Sequence, residues 1–134
     1  MSSGDPRYSA EVQRRCRELP GAGRVAGPGP IASGGAGDVE QGARVEFDFE
    51  VDDCRAARGA FRAYGCPHVI AAASWVVERL SGATRADLEG WDWREAAAAL
   101  EVPPAKYGRL LVLQDAVRAA ARNWPDCPAG LPRP

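Results

Sequence analysis

The chain has 134 residues, 46% hydrophobic and 26% charged, which is typical of one soluble domain. Its 17 basic and 18 acidic residues give a net charge of -1, so it has no basic surface of the kind that binds nucleic acid. No run of about 18 apolar residues exists to cross a bilayer, and the first eight residues lack the regions of a signal peptide. We therefore expect a cytoplasmic protein that binds neither nucleic acid nor membrane.

The cysteines and the single histidine limit the possible metal sites. None of the four cysteines forms a C-x-x-C pair, and in a reducing cytoplasm we expect thiols rather than disulfides. The cysteines are Cys16, Cys54, Cys66 and Cys127. His68 follows Cys66 by two positions, which places the two side chains about 200° apart on a helix. We therefore predict that His68 is not a ligand.

The first part of the chain predicts a helix and then a long loop. Apolar or semi-apolar residues recur at helical spacing from Tyr8 to Leu19, which predicts an amphipathic helix that ends before Pro20. Residues 20–37 are rich in glycine, proline and alanine. This composition favours a loop, with room for one short strand near Ile31.

Residues 45–52 give the clearest pattern in the chain, because apolar side chains alternate strictly with acidic ones. The alternation predicts a half-buried antiparallel strand whose acidic face lies in solvent. Attraction of a basic partner to this face is the alternative interpretation. The polar residues 52–55 predict a hairpin turn, and residues 57–64 predict the returning strand.

The second half of the sequence predicts helices. Pro67 suits a first helical turn, and the apolar run after it predicts a helix to Leu80 that is closed near Gly82. Two short helices follow, and the double proline at 103–104 precedes a final helix over about residues 106–124. The predicted inward residues of that helix are Leu110, Leu113, Val117, Ala120 and Trp124.

Together these elements predict an α+β fold, in which a small antiparallel sheet of about three strands has helices packed on one face. We expect a single domain over residues 1–124 and a flexible proline-rich tail over residues 125–134. Because a fold does not identify a function, the functional candidates come from particular residues.

Cys66 is the residue best placed for chemistry. It lies where a predicted strand gives way to a helix, and the positive end of a helix dipole favours the thiolate, which binds metal or accepts sulfur. The alternative is a small buried residue packed between Tyr64 and Ile70. Asp38 follows the glycine-rich stretch 34–37 and brings a carboxylate into a site, or else serves only in a turn or at a strand start.

Four motifs carry a resemblance to a known family. They are Tyr-Ser at 8–9, Gly-Asp at 37–38, Tyr-Gly-Cys at 64–66 followed by Ala-Ala-Ala-Ser at 71–74, and Val-Pro-Pro-Ala-Lys at 102–106. In this order and spacing, the sequence from Tyr8 to about Trp124 resembles the iron-sulfur cluster assembly scaffold family, that is, IscU and the amino-terminal domain of NifU.

The resemblance implies a scaffold rather than an enzyme, which handles iron, a [2Fe-2S] cluster or sulfur through Cys66 with Asp38. It implies a cysteine desulfurase as one partner. It also implies that a DnaK-like chaperone recognises the segment Val102, Pro103, Pro104, Ala105 and Lys106. The alternative for the two prolines is a simple stop signal before the final helix.

The sequence departs from the family at two of its ligand positions. Ala36 stands where the family has its first cysteine, and Gly108-Arg109 stands where the family has His-Cys. A [2Fe-2S] cluster needs four ligands, and Cys66 and Asp38 alone do not complete them within one chain. We hypothesise that Arg109 pairs with Asp38 and favours the Cys66 thiolate, so that an ion pair fills the former metal site.

Other functions stay open at this point. Two chains that share one cluster, or recruitment of Cys54, would supply further ligands. The alternative function is a cluster-free adaptor that keeps the surfaces for the chaperone and the assembly partners. A thiol enzyme that uses Cys66 is the third option, although no base is evident.

Overall fold

The chain forms three antiparallel strands and five α-helices in the computed structural model, which describes residues 7–127. The strands are β1 (Ile31–Asp38), β2 (Ala43–Asp52) and β3 (Arg55–Tyr64), in the sheet order β1-β2-β3. The helices are α1 (Ala10–Glu18), α2 (Pro67–Arg79), α3 (Arg85–Glu89), α4 (Arg94–Leu100) and α5 (Tyr107–Arg122). Helices pack against the three-stranded sheet, so the predicted α+β fold is confirmed.

The glycine-rich stretch predicted as a loop contains the full-length edge strand β1. This strand pairs with β2 along its whole length and ends with Asp38 opposite Ala43. Its glycines let α5 approach closely, because a Cβ atom on Gly34 would collide with the backbone of Ala120. Glycine here marks the close packing of a helix against a strand, which composition alone does not distinguish from a loop.

The acidic face of β2 is largely covered. Asp48 and Glu50 are only 6% and 5% exposed. Arg62 on β3 donates to both carboxylate oxygens of Asp48, each at 3.1 Å, and the N–H of Gly29 donates to Glu50 at 3.0 Å. The expectation of a solvated face is therefore wrong for these two residues, because a guanidinium and a backbone N–H replace water.

A two-residue hairpin turn joins β2 to β3. Asp53 and Cys54 have left-handed φ angles of 53° and 63°, as a type I′ turn requires. Cys54 forms a disulfide with Cys127, and their Cα atoms lie 5.9 Å apart. The prediction of four thiols is therefore wrong for this pair. Their separation of 73 residues gives no sequence signal for the pairing.

The predicted boundary between domain and tail falls beside Trp124, a buried core residue. Of the predicted tail, the structure describes only residues 125–127. Within them Cys127 is held by its disulfide, and residues 128–134 lie outside the described residues. The flexibility of that remainder stays a prediction.

The helices complete the core as the sequence predicts. All five predicted inward residues of the final helix are buried, although α5 ends at Arg122 and Trp124 lies beyond it. Helix α2 packs mainly against β3 and α1, and α5 against β1 and β2. No helix among the described residues is long and apolar enough to cross a membrane.

Candidate functional site

The residues predicted for the site converge on one end of the sheet. β1 ends at Asp38 opposite Ala43 of β2, and β3 ends at Tyr64 opposite Arg44 of β2. Cys66 follows two residues later and is the N-cap of α2. The antiparallel register therefore brings Asp38 and Cys66 to the same end of the sheet, with β2 between their two strands. We call it the site end of the sheet.

Cys66 is a free, half-buried thiol at the start of α2. Its side chain makes no capping hydrogen bond, so the sulfur is not committed to the helix backbone. Its carbonyl accepts the N–H groups of Val69 and Ile70 at 3.0 and 3.2 Å, which fixes its main chain. The residue packs at the rim of the hydrophobic core. It is therefore neither sealed in the interior nor fully open to solvent.

A second free thiol, Cys16 on α1, lies beside this helix start. Its S–H donates to the carbonyl of Pro67 at 3.3 Å. Burial raises the pKa of the Cys16 thiol, and the neighbouring Cys66 raises it further. Cys16 is not among the predicted site residues, although its helical spacing from Tyr8 and Val12 places it on the inward face of α1.

Three side chains, which we call the arginine clamp, hold α1 on α2 next to Cys16. Arg15 is only 5% exposed, and its guanidinium donates to Ser74 at 3.0 Å and to Glu78 at 2.6 Å, both on α2. The Ser74 hydroxyl donates in turn to the carbonyl of Pro20 at 2.7 Å. The clamp fixes the position of Cys16 relative to α2.

The predicted ion pair between Arg109 and Asp38 is not formed. Asp38 is exposed and accepts the N–H of Glu40 at 2.8 Å, where it caps a short 3-10 helix. Arg109 donates instead to the carbonyl of Gly42 at 3.1 Å. Among the ion pairs within residues 7–127 none joins Arg109 to Asp38. The β1–β2 turn places a carbonyl, rather than the carboxylate, against the guanidinium.

His68 is a core residue with unusual surroundings. It is 2% exposed, and neither ring nitrogen has a hydrogen-bond partner within residues 7–127. The centroid of its ring lies 4.8 Å from that of Tyr8. Burial lowers the pKa of His68, and the charge of Lys106 lowers it further, so the neutral ring is favoured. That His68 is not a ligand stays a prediction.

The described residues do not supply the full ligand set of a cluster. Among residues 7–127 no group of three or more histidine, cysteine, aspartate or glutamate side chains is arranged to hold a metal ion. A [2Fe-2S] cluster needs four ligands. Cys54, the additional ligand considered from sequence, is bonded to Cys127. Within residues 7–127 the side chains of one chain thus do not form a ready-made set of cluster ligands.

The segment from Val102 to Lys106 links α4 to α5 at the surface. Val102 is buried and anchors the segment, whereas Pro103, Pro104 and Ala105 are exposed. The last three residues, Pro104–Lys106, form a short 3-10 helix. The prolines thus start a helical segment and are also accessible to a partner.

The fold and the site define a small α+β protein with a free thiol where a strand gives way to a helix. The sequence profile of the family described as NifU-like N terminal domain matches residues 7–129. The chain therefore belongs to this family. The resemblance proposed from the motifs is confirmed at the level of the family, and the family consists of scaffold proteins rather than enzymes.

Curated relatives carry names from the same field. The chain is 30% identical over 100 residues to iron sulfur cluster assembly protein 1, mitochondrial, of Eremothecium gossypii, covering 73% of this chain and 62% of that protein. It is 29% identical over 99 residues to the iron-sulfur cluster assembly scaffold protein IscU of Haemophilus influenzae, covering 73% and 75%. It is 32% identical over 122 residues to the bifunctional protein NifU/MnmA of Rubrobacter xylanophilus, covering 88% of this chain but 25% of that protein.

The fold also matches a solved structure. A candidate iron-sulfur cluster assembly scaffold protein for the SUF system of Fervidobacterium islandicum superposes with a TM-score of 0.63, covering 86% of this chain and 96% of the other. The sequences are 15% identical, so this likeness supports the fold alone.

Proposed function

We propose that this chain serves iron-sulfur cluster assembly by accepting sulfur, or iron with sulfur, at Cys66. The observation that carries the proposal is the free thiol at the N-cap of α2, with no hydrogen bond from its side chain to the helix. Thiolates are the nucleophiles that receive sulfur, and the positive end of a helix dipole favours them. Family membership supplies the biological context.

Sulfur transfer suits this chain better than building a complete cluster alone. Accepting one sulfur atom to form a persulfide needs one accessible thiol, whereas a cluster needs four ligands. We propose that Ala36 and Arg109 occupy two ligand positions of the family, which leaves Asp38 and Cys66 at the site end. Two chains that share one cluster would restore the ligand count.

By its relationship to the named scaffold proteins we also propose the partners and the location. A cysteine desulfurase would supply the sulfur, and a DnaK-like chaperone would bind the segment 102–106. Both partners fit a cytoplasmic protein, and we place this chain there.

Peptide mapping by mass spectrometry after desulfurase treatment tests sulfur acceptance at Cys66. The chain is incubated anaerobically with a bacterial cysteine desulfurase and cysteine, and the cysteine peptides are then mapped for an added sulfur atom. At early times we expect the added sulfur on Cys66 in the wild type and in Cys16→Ser, the matched control, and none in Cys66→Ser. Equal labelling of Cys66→Ser and wild type would contradict the proposal.

Restoring the lost ligands tests the proposed replacement. The double variant Ala36→Cys with Arg109→Cys is reconstituted anaerobically with iron and sulfide beside the wild type. The matched control is Ala36→Ser with Arg109→Ser, which changes the same positions without thiolates. We expect iron and acid-labile sulfide per chain to rise only in the cysteine variant. No rise would show that these positions do not replace ligands.

A cluster-free adaptor is the second candidate, because Pro103, Pro104 and Ala105 are exposed between α4 and α5. Chaperone binding separates it from sulfur handling. A Pro104→Ser variant should lose affinity for a DnaK-like chaperone of the scaffold-specific type if the segment is a docking site, while Cys66→Ser should bind as wild type does. Unchanged binding of Pro104→Ser would reject the adaptor function and leave sulfur acceptance intact.

A further inference from the structure

The two free thiols of the chain belong to two different helices that meet at one place. Cys66 is the residue before Pro67, and Cys16 donates its S–H to the Pro67 carbonyl at 3.3 Å. All four cysteines lie among the described residues, and the other two are joined in a disulfide. Any second thiol that acts on Cys66 from within the chain is therefore Cys16.

The packing holds this pair in place. The arginine clamp, one residue from Cys16, ties α1 to α2 through Ser74 and Glu78 at 3.0 and 2.6 Å. Cys16 also lines an open surface pocket of about 350 Å³. The pocket is lined by Tyr8, Val12, Gln13, Cys16, Arg17 and Pro67. Cys16 therefore lies where solvent and small solutes reach its side of the pair.

We propose that Cys16 is a resolving thiol that releases sulfide from a persulfide on Cys66. This rests on the proposed function, because the persulfide is the sulfur-loaded form of Cys66. The Cys16 thiolate attacks the Cys66 sulfur, a Cys16–Cys66 disulfide forms, and the bond to the outer sulfur breaks. The electron pair of that bond leaves with the outer sulfur as hydrogen sulfide ion, and the Cys16 proton passes to solvent or to the sulfide.

The electrons balance within the chain. The outer sulfur gains two electrons and becomes sulfide, and the two cysteine sulfurs together lose two as they form the disulfide. No external reductant is needed for the release. A small-molecule dithiol returns the pair to its reduced form afterwards.

The residues assign one thiol to each role. Cys66 is free of side-chain capping bonds at the helix N-terminus, which suits the acceptor. Cys16 is engaged with the Pro67 carbonyl on the flank of the same helix, which suits a second thiol that acts once Cys66 is loaded.

Sulfide release without reductant is the test. Wild type, Cys16→Ser and Cys66→Ser are loaded with inorganic polysulfide under anaerobic conditions, desalted, and followed by colorimetric sulfide assay and non-reducing peptide mapping. We expect the wild type to release sulfide at a rate independent of protein concentration and to accumulate the Cys16–Cys66 disulfide. Cys16→Ser should keep its persulfide and release sulfide more slowly by roughly tenfold or more, since it lacks the intramolecular thiol.

Each other outcome has a distinct meaning. If wild type and Cys16→Ser keep the persulfide equally long, or if release speeds up with protein concentration, the resolving role is overturned while sulfur acceptance stands. If Cys66 takes up no sulfur at all, the proposed function and this inference both fail. A thermal melt of Cys16→Ser and a parallel Cys16→Ala variant separates loss of the thiol from loss of the fold.

Discussion

The two cysteine pairs lie at opposite ends of β3 and are held in different ways. Cys54 in the β2–β3 turn is covalently joined to Cys127. Cys66 follows the other end of β3 and is brought to Cys16 only by the packing of α1 on α2. The first pair fastens the end of the described chain to the sheet. The second pair consists of two free thiols where a helix begins. The sulfur atoms available for reaction therefore lie at the site end.

The largest expected effect on stability comes from breaking the Cys54–Cys127 disulfide. Cys127→Ser should lower the free energy of unfolding by about 4 kcal/mol, because the disulfide closes a loop of 73 residues in the unfolded chain. Urea denaturation with and without a dithiol measures it, and reductant should destabilise the wild type but not the variant. Cys16→Ser is the control and should keep the dependence on reductant. A wild type indifferent to reductant would rule out the disulfide.

The next effect concerns the packing of α5 on the middle of β1. Gly34→Ala should cost about 3 kcal/mol, because the added methyl meets the backbone of Ala120 on α5 and not the end of a flexible side chain. Gly35→Ala is the matched control, because its methyl meets the flexible end of Arg44. Thermal denaturation compares the two. Equal melting temperatures would show that α5 does not lie so close to β1.

A smaller effect should follow from loosening the second pair. Arg15→Met removes the bonds to Ser74 and Glu78 and should cost about 2 kcal/mol. It should also lower the yield of the Cys16–Cys66 disulfide after persulfide loading. Arg14→Met is the control, because Arg14 pairs with Glu11 and Glu18 of its own helix near the surface. A disulfide yield unchanged by Arg15→Met would mean that the clamp does not position Cys16.

The smallest effect is a change in acid sensitivity on the covered face of β2. Burial raises the pKa of Asp48, but hydrogen bonds from Arg62 and Ser33 outweigh it and leave that pKa below the usual value of 3.8. The folded form is thus stabilised above the unfolded pKa, and this stabilisation is lost as the pH falls through the lowered pKa. The stability difference between wild type and Asp48→Asn should therefore be larger at about pH 7 than at about pH 3. A difference independent of pH, measured by urea denaturation, would contradict this.

Local patterns in the sequence predict much of the fold. The alternation over residues 45–52 and the helical stripe of α5 depend on neighbouring residues, and the strand and the buried stripe that they predict are confirmed. The solvated face predicted for that strand is not confirmed at Asp48 and Glu50. The strand β1 is not predicted in full, because Gly34 serves contact with a helix distant in sequence. The burial of Asp48 likewise depends on a cation from another strand.

The site is predicted less completely. Cys66 is found at a strand-to-helix junction as expected, because proline after a strand marks a helix start. Its neighbour Cys16 comes from a helix 50 residues earlier, and the partner of Arg109 is a backbone carbonyl. Neither a long-range contact nor a main-chain acceptor can be predicted from the pattern of side chains along the sequence.

Elemental and sulfane-sulfur analysis of anaerobically purified protein, beside Cys66→Ser, tests the central claim most directly. If Cys66 is a sulfur-accepting thiol with too few neighbours to complete a cluster, the protein should carry sulfane sulfur on Cys66, retained in the Cys16→Ser background that blocks its release, whereas Cys66→Ser should carry none. The wild type should also hold less than one [2Fe-2S] cluster per monomeric chain. A full cluster on a monomer, retained after Cys66→Ser, would contradict the account.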